Sequence, residues 1–424
     1  MKKAFRKIVA AAVAVLLSPI AASAGSIYQD CSPCGELCDP CDAVCSKKAS
    51  LWEVGGWIDA GVYGNQYGQD NEYDGGGSLI GVSGNTDFLQ NTRMSGFSAN
   101  QMWVYAGKKL SKRGWDIGGR VDMAYGTDML YLQSANLEYD YINATGDDRW
   151  GTGDYYLALP QAYGEIGYNN VSVKFGKFLS TFGYESIMSP DRFFYSMCYA
   201  YAYRPATQTG VLATWDVNKN LSVFGGWTNG QNQTFENEED NAFLGGFNWK
   251  AGKRVNVGYS IMAGTNENPW LTNSGASEDY LYQSFFVDVK LTKRLNYVFE
   301  WTLNNETVTA SFGKAHLGAY GINNELFYKL NKHWTFGARF EWMHVYDSAH
   351  DTTGASLTSW QDDMIAVTLG LNWKPNDWFT LRPEVRYDVF DEGMPFNVMK
   401  SVRLGNYDPK DSQFSGGISA VVHF

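Results

Sequence analysis

Charged side chains recur at every second position of several extended segments, and they are the residues best suited to a functional role. In residues 380–388, Arg382, Glu384 and Arg386 alternate with apolar residues. Successive side chains of a strand point to opposite faces, so these charges share one face. A charged face of this kind can select ions or form ion pairs, and it carries out no covalent chemistry.

The same alternation places charges on the polar face of other segments. These candidates are Asp116, Arg120, Asp122, Lys174, Asp288, Lys290, Glu300, Arg339, Glu341 and Asp388. Two arrangements remain open. The arginines at 339, 382 and 386 could form a basic strip on one wall of an aqueous passage and set its ion preference. Alternatively, each of them pairs with Glu341, Glu384 or Asp388 in a structural network.

A long connection at residues 180–207 is rich in Phe and Tyr, and a segment of this composition should not remain in open water. Its Ser189-Pro190-Asp191 order is typical of a helix start with Ser as the N-cap. We expect the segment to fold inward as a constriction, with the candidate residues Glu185, Asp191, Arg192 and Arg204. The alternative is a loop that packs over the mouth of a β-barrel, the fold that the strand pattern described below predicts, or against another subunit.

Five cysteines lie close together near the N-terminus, at Cys31, Cys34, Cys38, Cys41 and Cys45. In an exported chain, cysteines at this density indicate disulfides first, since these form in an oxidising compartment. Their CxxC spacing also suits a small metal site, and free or intermolecular thiols are a third interpretation. Because five is odd and Cys198 lies far along the chain, one of the five could lack a partner.

Enzyme and cofactor signatures are absent from the sequence, which has no Gly-rich phosphate loop, nucleophile elbow, HExxH or CxxCH motif. A hydrolytic site would need His316, His344 or His350 to meet a Ser and an acid, and the spacing favours none of them. His344, Asp347 and His350 also lack further metal-ligand spacing. We therefore expect no enzyme and no bound cofactor, and no metal outside the Cys-rich segment.

The elements that must position these residues are strands, because the alternation recurs from Leu51 to the C-terminus. About sixteen strands are predicted, at residues 51–63, 97–109, 115–126, 158–168, 171–179, 208–217, 221–229, 242–250, 254–263, 280–291, 294–304, 317–330, 333–346, 363–373, 378–390 and 413–424. The connections alternate strictly between short and long. Outer-membrane barrels have short periplasmic turns and long external loops, so the sequence predicts an all-β, transmembrane antiparallel β-barrel.

Residues 1–24 have the features of a signal peptide, with a positive start, an apolar core and an Ala-Ser-Ala cleavage site. A Cys-rich segment at 25–50 follows, and the barrel should occupy 51–424. No later apolar run reaches about 18 residues, so any membrane-spanning structure must be a barrel. Without the four positive charges of the signal, the net charge changes from −11 to about −15, which argues against a nucleic-acid partner.

Aromatic residues follow the expected lipid boundary. Five tryptophans lie within a few residues of a short turn: Trp115, Trp249, Trp334, Trp373 and Trp378. The last strand alternates up to Phe424, an ending similar to the signal that barrel-assembly machinery reads. We expect that machinery and outer-membrane lipid to be partners.

Several motifs resemble a known family. They are FGKFLSTFGYES (175–186), SPDRFFYS (189–196) and TGVLATW (209–215), together with RFEW (339–342), LNWKPN (371–376) and LRPEVRYD (381–388) in later hairpins. These motifs are similar to the OmpL-like β-barrel porin family over roughly residues 51–424. The resemblance implies a porin-type outer-membrane channel but no particular solute, and the Cys-rich segment lies outside it.

We predict an integral protein of a bacterial-type outer membrane that lets small hydrophilic solutes or ions diffuse through. Filtering would come from the connection at residues 180–207, which is the third long connection and is expected to fold inward, and from charges that line the lumen. Sixteen-strand general porins are usually trimers, so a homotrimer is expected by analogy. The alternatives are a structural or adhesive barrel without significant transport and, less favoured, an outer-membrane hydrolase.

Overall fold

The structure is a computed structural model. It describes residues 51–67, 72–73, 79–81, 96–138, 150–152, 155–235, 240–267, 277–310, 313–351, 353, 356–392, 396–401 and 406–424. The predicted signal peptide and the five N-terminal cysteines lie outside the described residues.

Sixteen long strands form one antiparallel sheet. In chain order they are β1 (Trp52–Asn65), β2 (Gly96–Lys108), β3 (Trp115–Gly126), β4 (Tyr155–Tyr168), β5 (Val171–Leu179), β6 (Thr207–Asn218), β7 (Leu221–Thr228), β8 (Asn241–Ala251), β9 (Val255–Glu267), β10 (Ser277–Lys290), β11 (Leu295–Ala310), β12 (Gly313–Lys329), β13 (Trp334–Asp351), β14 (Ser356–Asn376), β15 (Phe379–Phe390) and β16 (Ser412–His423). Each strand pairs with the next, and β16 pairs with β1, where Val422 lies opposite Ile58. The sheet closes as a 16-strand antiparallel β-barrel, which confirms the predicted fold class.

The two faces of the sheet differ in polarity as the alternation predicts. In β15, Val385 and Tyr387 are 43% and 46% exposed, whereas Glu384 and Arg386, which alternate with them, are 5% and 2% exposed. Apolar side chains such as Ile418 of β16 continue the outer band. An apolar exterior around a polar interior is the arrangement of a membrane-spanning barrel.

The short connections lie where the sequence predicts them, and left-handed residues help to close them. Asn169 has a φ of 53° between β4 and β5, and Gly252 has a φ of 79° between β8 and β9. Gly adopts this conformation without strain, and Asn tolerates it better than most residues.

Two predicted long connections are wrong in extent. The sequence pattern predicts loops at residues 305–316 and 347–362. In the structure, β11 continues to Ala310 and β14 begins at Ser356. The extra residues pair across the ladder, for example Glu306 opposite Leu317. The physical reason is that ladder hydrogen bonds join backbone groups, so a strand can continue with polar side chains beyond the apolar band.

In the described part of the chain, helix is confined to short turns in the connections. These are the 3-10 turns Thr127–Tyr131 and Ser189–Asp191 and a single α-helical turn, α1 (Tyr199–Ala202). The predicted Ser189 cap is wrong, because its hydroxyl donates to Asp59 rather than to a backbone N–H of the turn. Among the described residues, no helix is long and apolar enough to cross a bilayer.

Two short hairpins lie in the long connections. One pairs Glu72–Tyr73 with Leu79–Gly81, and the other pairs Phe396–Ser401 with Asn406–Lys410. They add to the connections without entering the barrel sheet.

Candidate functional site

Residues 180–206 connect β5 to β6 and pack on the inner face of the sheet; we call them the inward segment. The side chains of Phe194 and Tyr199 are 1% and 2% exposed. The rings of Phe193 and Phe194 have their centroids 4.7 and 6.1 Å from that of Phe327 in β12. The aromatic side chains of the inward segment therefore pack against the inner face of the barrel.

Two glycines make room for these rings. A Cβ atom at Gly370 of β14 would lie 3.0 Å from the ring of Phe194, and one at Gly337 of β13 would overlap the ring of Phe193. Close approach of the inward segment therefore depends on the absence of side chains at both positions.

Arg339 of β13 binds both side chains and backbone of the inward segment. Its guanidinium donates to Glu185 Oε1 at 2.9 Å, to Ser196 O at 3.0 Å, to Ser196 Oγ at 2.9 Å and to Met197 O at 3.2 Å. Its Cζ also lies 4.7 Å from the ring centroid of Phe194. The fixed fork of guanidinium donors suits such multiple recognition.

Two carboxylates of the wall accept hydrogen bonds from the backbone of the inward segment. Tyr195 N donates to Glu384 Oε2 at 2.7 Å, and Ser196 N donates to Glu384 Oε1 at 2.9 Å. Tyr199 N donates to Glu341 Oε2 at 2.6 Å. Hydrogen bonds to charged groups contribute about 1.5–3 kcal/mol each. These acids therefore bind peptide groups of the protein itself.

Arg386 of β15 neutralises the acids around it. Its Nη1 donates to Glu341 Oε1 at 2.7 Å and its Nε to Asp388 Oδ1 at 2.8 Å. Arg339 Nε lies 2.8 Å from the same Glu341 oxygen. Tyr199 Oη donates to Asp388 at 2.6 Å, and the Tyr199 ring lies 4.8 Å from the Arg386 guanidinium.

Arg382 has a partner that sequence reasoning missed. Its Nη2 donates to Asp59 Oδ2 of β1 at 2.8 Å, and its Nη1 donates to Ser189 O at 3.0 Å and Arg192 O at 3.3 Å. The available signal was the place of Asp59 on the inner face of the β1 alternation, next to Ile58.

We call Arg339, Glu341, Arg382, Glu384, Arg386 and Asp388 the charged wall. Every one of these side chains is at most 5% exposed. Of the two arrangements open from the sequence, the charged wall forms the paired network and not a basic strip open to water. Arg382 departs from the expected pairing because Asp59 reaches it across the β15–β16–β1 part of the sheet.

The acid of the inward segment that faces the charged wall is Glu185. Burial opposes its ionisation, but the guanidinium groups of Arg339 and Arg192 and the Cys198 N–H outweigh burial and hold its pKa below the ordinary value. Cys198 N donates to Glu185 Oε2 at 2.7 Å. Glu185 is thus an anchor for the inward segment.

The other constriction candidates do not form one exposed cluster. Arg192 is 5% exposed, and its Nε donates to Phe194 O at 3.0 Å. Arg204 donates to the Glu185 carbonyl and lies 3.9 Å from Glu300 Oε1. Asp191 alone is exposed.

Arg120 and Lys174 lie on another part of the inner face, in β3 and β5. Arg120 donates to Asp122 Oδ1 at 2.6 Å and lies 3.4 Å from Glu53. Lys174 Nζ lies 4.1 Å from the ring centroid of Tyr163. Both cations are partly exposed and can therefore interact with a solute.

Acids outnumber bases among the charged residues of the described inner face that are at least partly exposed. The acids are Glu53, Asp116, Glu165, Asp191, Asp216, Glu278, Asp288, Glu306 and Asp347, and the bases are Arg120, Lys174, Lys250, Lys290, Lys329 and Lys374. The accessible interior is acidic, although the buried charged wall is rich in arginine.

No described group of three or more His, Cys, Asp or Glu side chains is arranged to hold a metal ion. His344 Nδ1 lies 3.0 Å from Asp363 Oδ1. Cys198 is a buried free thiol. Burial and the nearby carboxylates of Glu185, Glu300 and Glu341 raise the pKa of this thiol.

Comparisons with known proteins agree with this architecture. The anion-selective porin from Comamonas acidovorans aligns with a TM-score of 0.52 and 8% identity over 88% of this chain and 99% of that one. OmpT of Vibrio cholerae aligns with a TM-score of 0.50 and 12% identity over 88% and 97%. Such low identities show the fold alone, and no curated protein matches the sequence. Residues 52–424 match the family "Putative beta-barrel porin-2, OmpL-like". The chain belongs to this porin family, and with its barrel fold this implies an integral outer-membrane protein.

Proposed function

We propose that the protein is a passive diffusion channel for small hydrophilic solutes or ions. The observation that carries this proposal is a closed 16-strand barrel with a polar inner face and an apolar outer face. Barrels of this strand number leave an aqueous channel. The solute crosses unchanged, so the protein performs no enzymatic step.

The inward segment is the size filter of this proposal. Arg339, Glu341 and Glu384 hold its backbone against β13 and β15. The segment also contacts Asp59 of β1 and Ser284 of β10. In this proposal the passage runs past the strands that carry Arg120 and Lys174. Solutes wider than the remaining gap are excluded.

The accessible charges give the channel a preference for cations. The arginines of the charged wall are paired and covered, so they contribute little to the field that a solute meets. The partly exposed residues of the described interior include more acids than bases, and an excess of one sign of charge in a passage concentrates the opposite ion.

We also propose the partners that the sequence suggests. The apolar outer band contacts outer-membrane lipid, and the assembly machinery recognises the strand that ends at Phe424. A homotrimer is proposed by analogy with general porins.

Planar-bilayer recording across a KCl gradient tests this function. We expect stepwise currents with a reversal potential that is shifted toward the equilibrium potential of K⁺. A folded protein that carries no current would favour a structural barrel and overturn the proposal. Currents that reverse on the chloride side would contradict the cation preference.

A further inference from the structure

Two buried acids flank an amide on the inner face of the barrel. Glu300 of β11 lies directly opposite Asn323 of β12, and Glu325 lies two residues from Asn323 on the same face. The three side chains are 1%, 2% and 3% exposed. Water therefore does little to stabilise either carboxylate.

Two oxygen atoms of this cluster have no hydrogen-bond partner. Asn323 Nδ2 donates to Glu325 Oε1 at 3.0 Å, whereas Asn323 Oδ1 and Glu300 Oε2 accept no hydrogen bond. Arg204 Nη1 lies 3.9 Å from Glu300 Oε1 and forms no hydrogen bond. Buried oxygen atoms that accept no hydrogen bond are expected to have a cation or a hydrogen-bond donor as a partner.

The nearby arginine does not supply that partner. Arg339 lies opposite Glu325 in the sheet, but its guanidinium binds Glu185 and Glu341. Within the described ranges, Glu325 forms no ion pair with a basic side chain. A buried carboxylate without a paired cation is strongly unfavourable.

We propose that Glu300, Asn323 and Glu325 bind a hard cation such as Ca²⁺. Two carboxylates and an amide carbonyl are the oxygen ligands that Ca²⁺ prefers, and its flexible coordination suits side chains from two strands. The ion neutralises the acids and takes the free oxygens as ligands.

This site also connects the wall to the start of the inward segment. Gly183 N donates to Ser284 Oγ at 3.0 Å, and a Cβ atom at Gly183 would lie 2.6 Å from Glu300 Oε1. A cation at Glu300 therefore stabilises the place where the segment enters the barrel, whether or not the barrel conducts.

The test is a calcium-dependent shift in thermal unfolding of the full folded protein in detergent. After treatment with a chelator, added Ca²⁺ should raise the unfolding midpoint of the wild type by ~2–8 °C. Glu325→Gln should abolish this shift and be at least as stable as the wild type without calcium, because it removes an unpaired buried charge. Asn323→Asp adds a carboxylate and should enlarge the shift.

Asp362→Asn is the matched control. Asp362 is a buried carboxylate that accepts hydrogen bonds from Asp391 N and Glu392 N at another part of the barrel. This variant should keep the calcium response, whereas a response lost equally in Asp362→Asn would mean general destabilisation and would overturn the assignment.

Terbium luminescence provides a second readout. Tyr184 interacts electrostatically with Glu325 and Glu300, so Tb³⁺ at this site should show tyrosine-sensitised emission that Ca²⁺ displaces. Glu325→Gln should lose this emission. An unchanged midpoint with calcium, or an equal response in Glu325→Gln, would overturn the proposal.

Discussion

Glu384→Gln tests whether the charged wall holds the inward segment in place. Glu384 accepts hydrogen bonds from Tyr195 N at 2.7 Å and Ser196 N at 2.9 Å. Glutamine keeps one acceptor oxygen, so one charge-assisted hydrogen bond is lost, at about 1.5–3 kcal/mol. At 1.4 kcal/mol per tenfold change, the population of the detached segment should rise by about 10- to 150-fold.

Single-channel recording measures this population. We expect wild-type channels to be quiet and Glu384→Gln channels to switch often to a second conductance level as the segment leaves the wall. Asp362→Asn is the control, since Asp362 also accepts two backbone N–H groups but not from the inward segment. If Glu384→Gln folds and its traces match those of the wild type, Glu384 does not hold the inward segment in place.

Three further predictions concern single residues. Asp191→Lys should move the reversal potential toward chloride because Asp191 is exposed; an unchanged reversal potential would remove Asp191 from the passage. With the five N-terminal cysteines replaced by Ser, Cys198 in the folded barrel should react with a thiol reagent at least about tenfold more slowly than in the denatured chain, since burial raises the pKa of its thiol. Equal rates would place the thiol in contact with solvent. Gly337→Val should displace the Phe193 ring and lower the free energy of unfolding by about 1–3 kcal/mol, whereas Gly64→Val, with no atom within 4 Å of the added Cβ, should be nearly neutral by thermal unfolding. Equal effects of the two substitutions would argue against this packing.

The strands and their inner face could be predicted from the sequence because period-two alternation is a local property. Glu384 and Arg386 are buried on one face, and Val385 between them is exposed on the other, as the sequence pattern requires. The ends of β11 and β14 were less predictable, since polar strands beyond the apolar band resemble loops in composition.

Only part of the ion pairing of the charged wall could be predicted: its internal pairs belong to one of the two arrangements open from the sequence, whereas its contacts with other elements do not. Arg382 and Asp59 lie 323 residues apart and meet only because the barrel closes between β16 and β1. The bonds from Glu384 go to backbone N–H groups, which every residue except proline carries, so no sequence pattern marks them. Charge on the inner face was therefore predictable, and its neutralisation by the inward segment was not.

Proteoliposome swelling with uncharged sugars of increasing size tests most directly whether the barrel encloses a water-filled passage. Because these solutes carry no charge, the rate depends on the width of the passage and not on its acids. A water-filled passage should give rapid swelling with small sugars and a steep decline in the swelling rate as the sugars become larger. Swelling no faster than in protein-free liposomes, with the barrel shown to be folded, would contradict it.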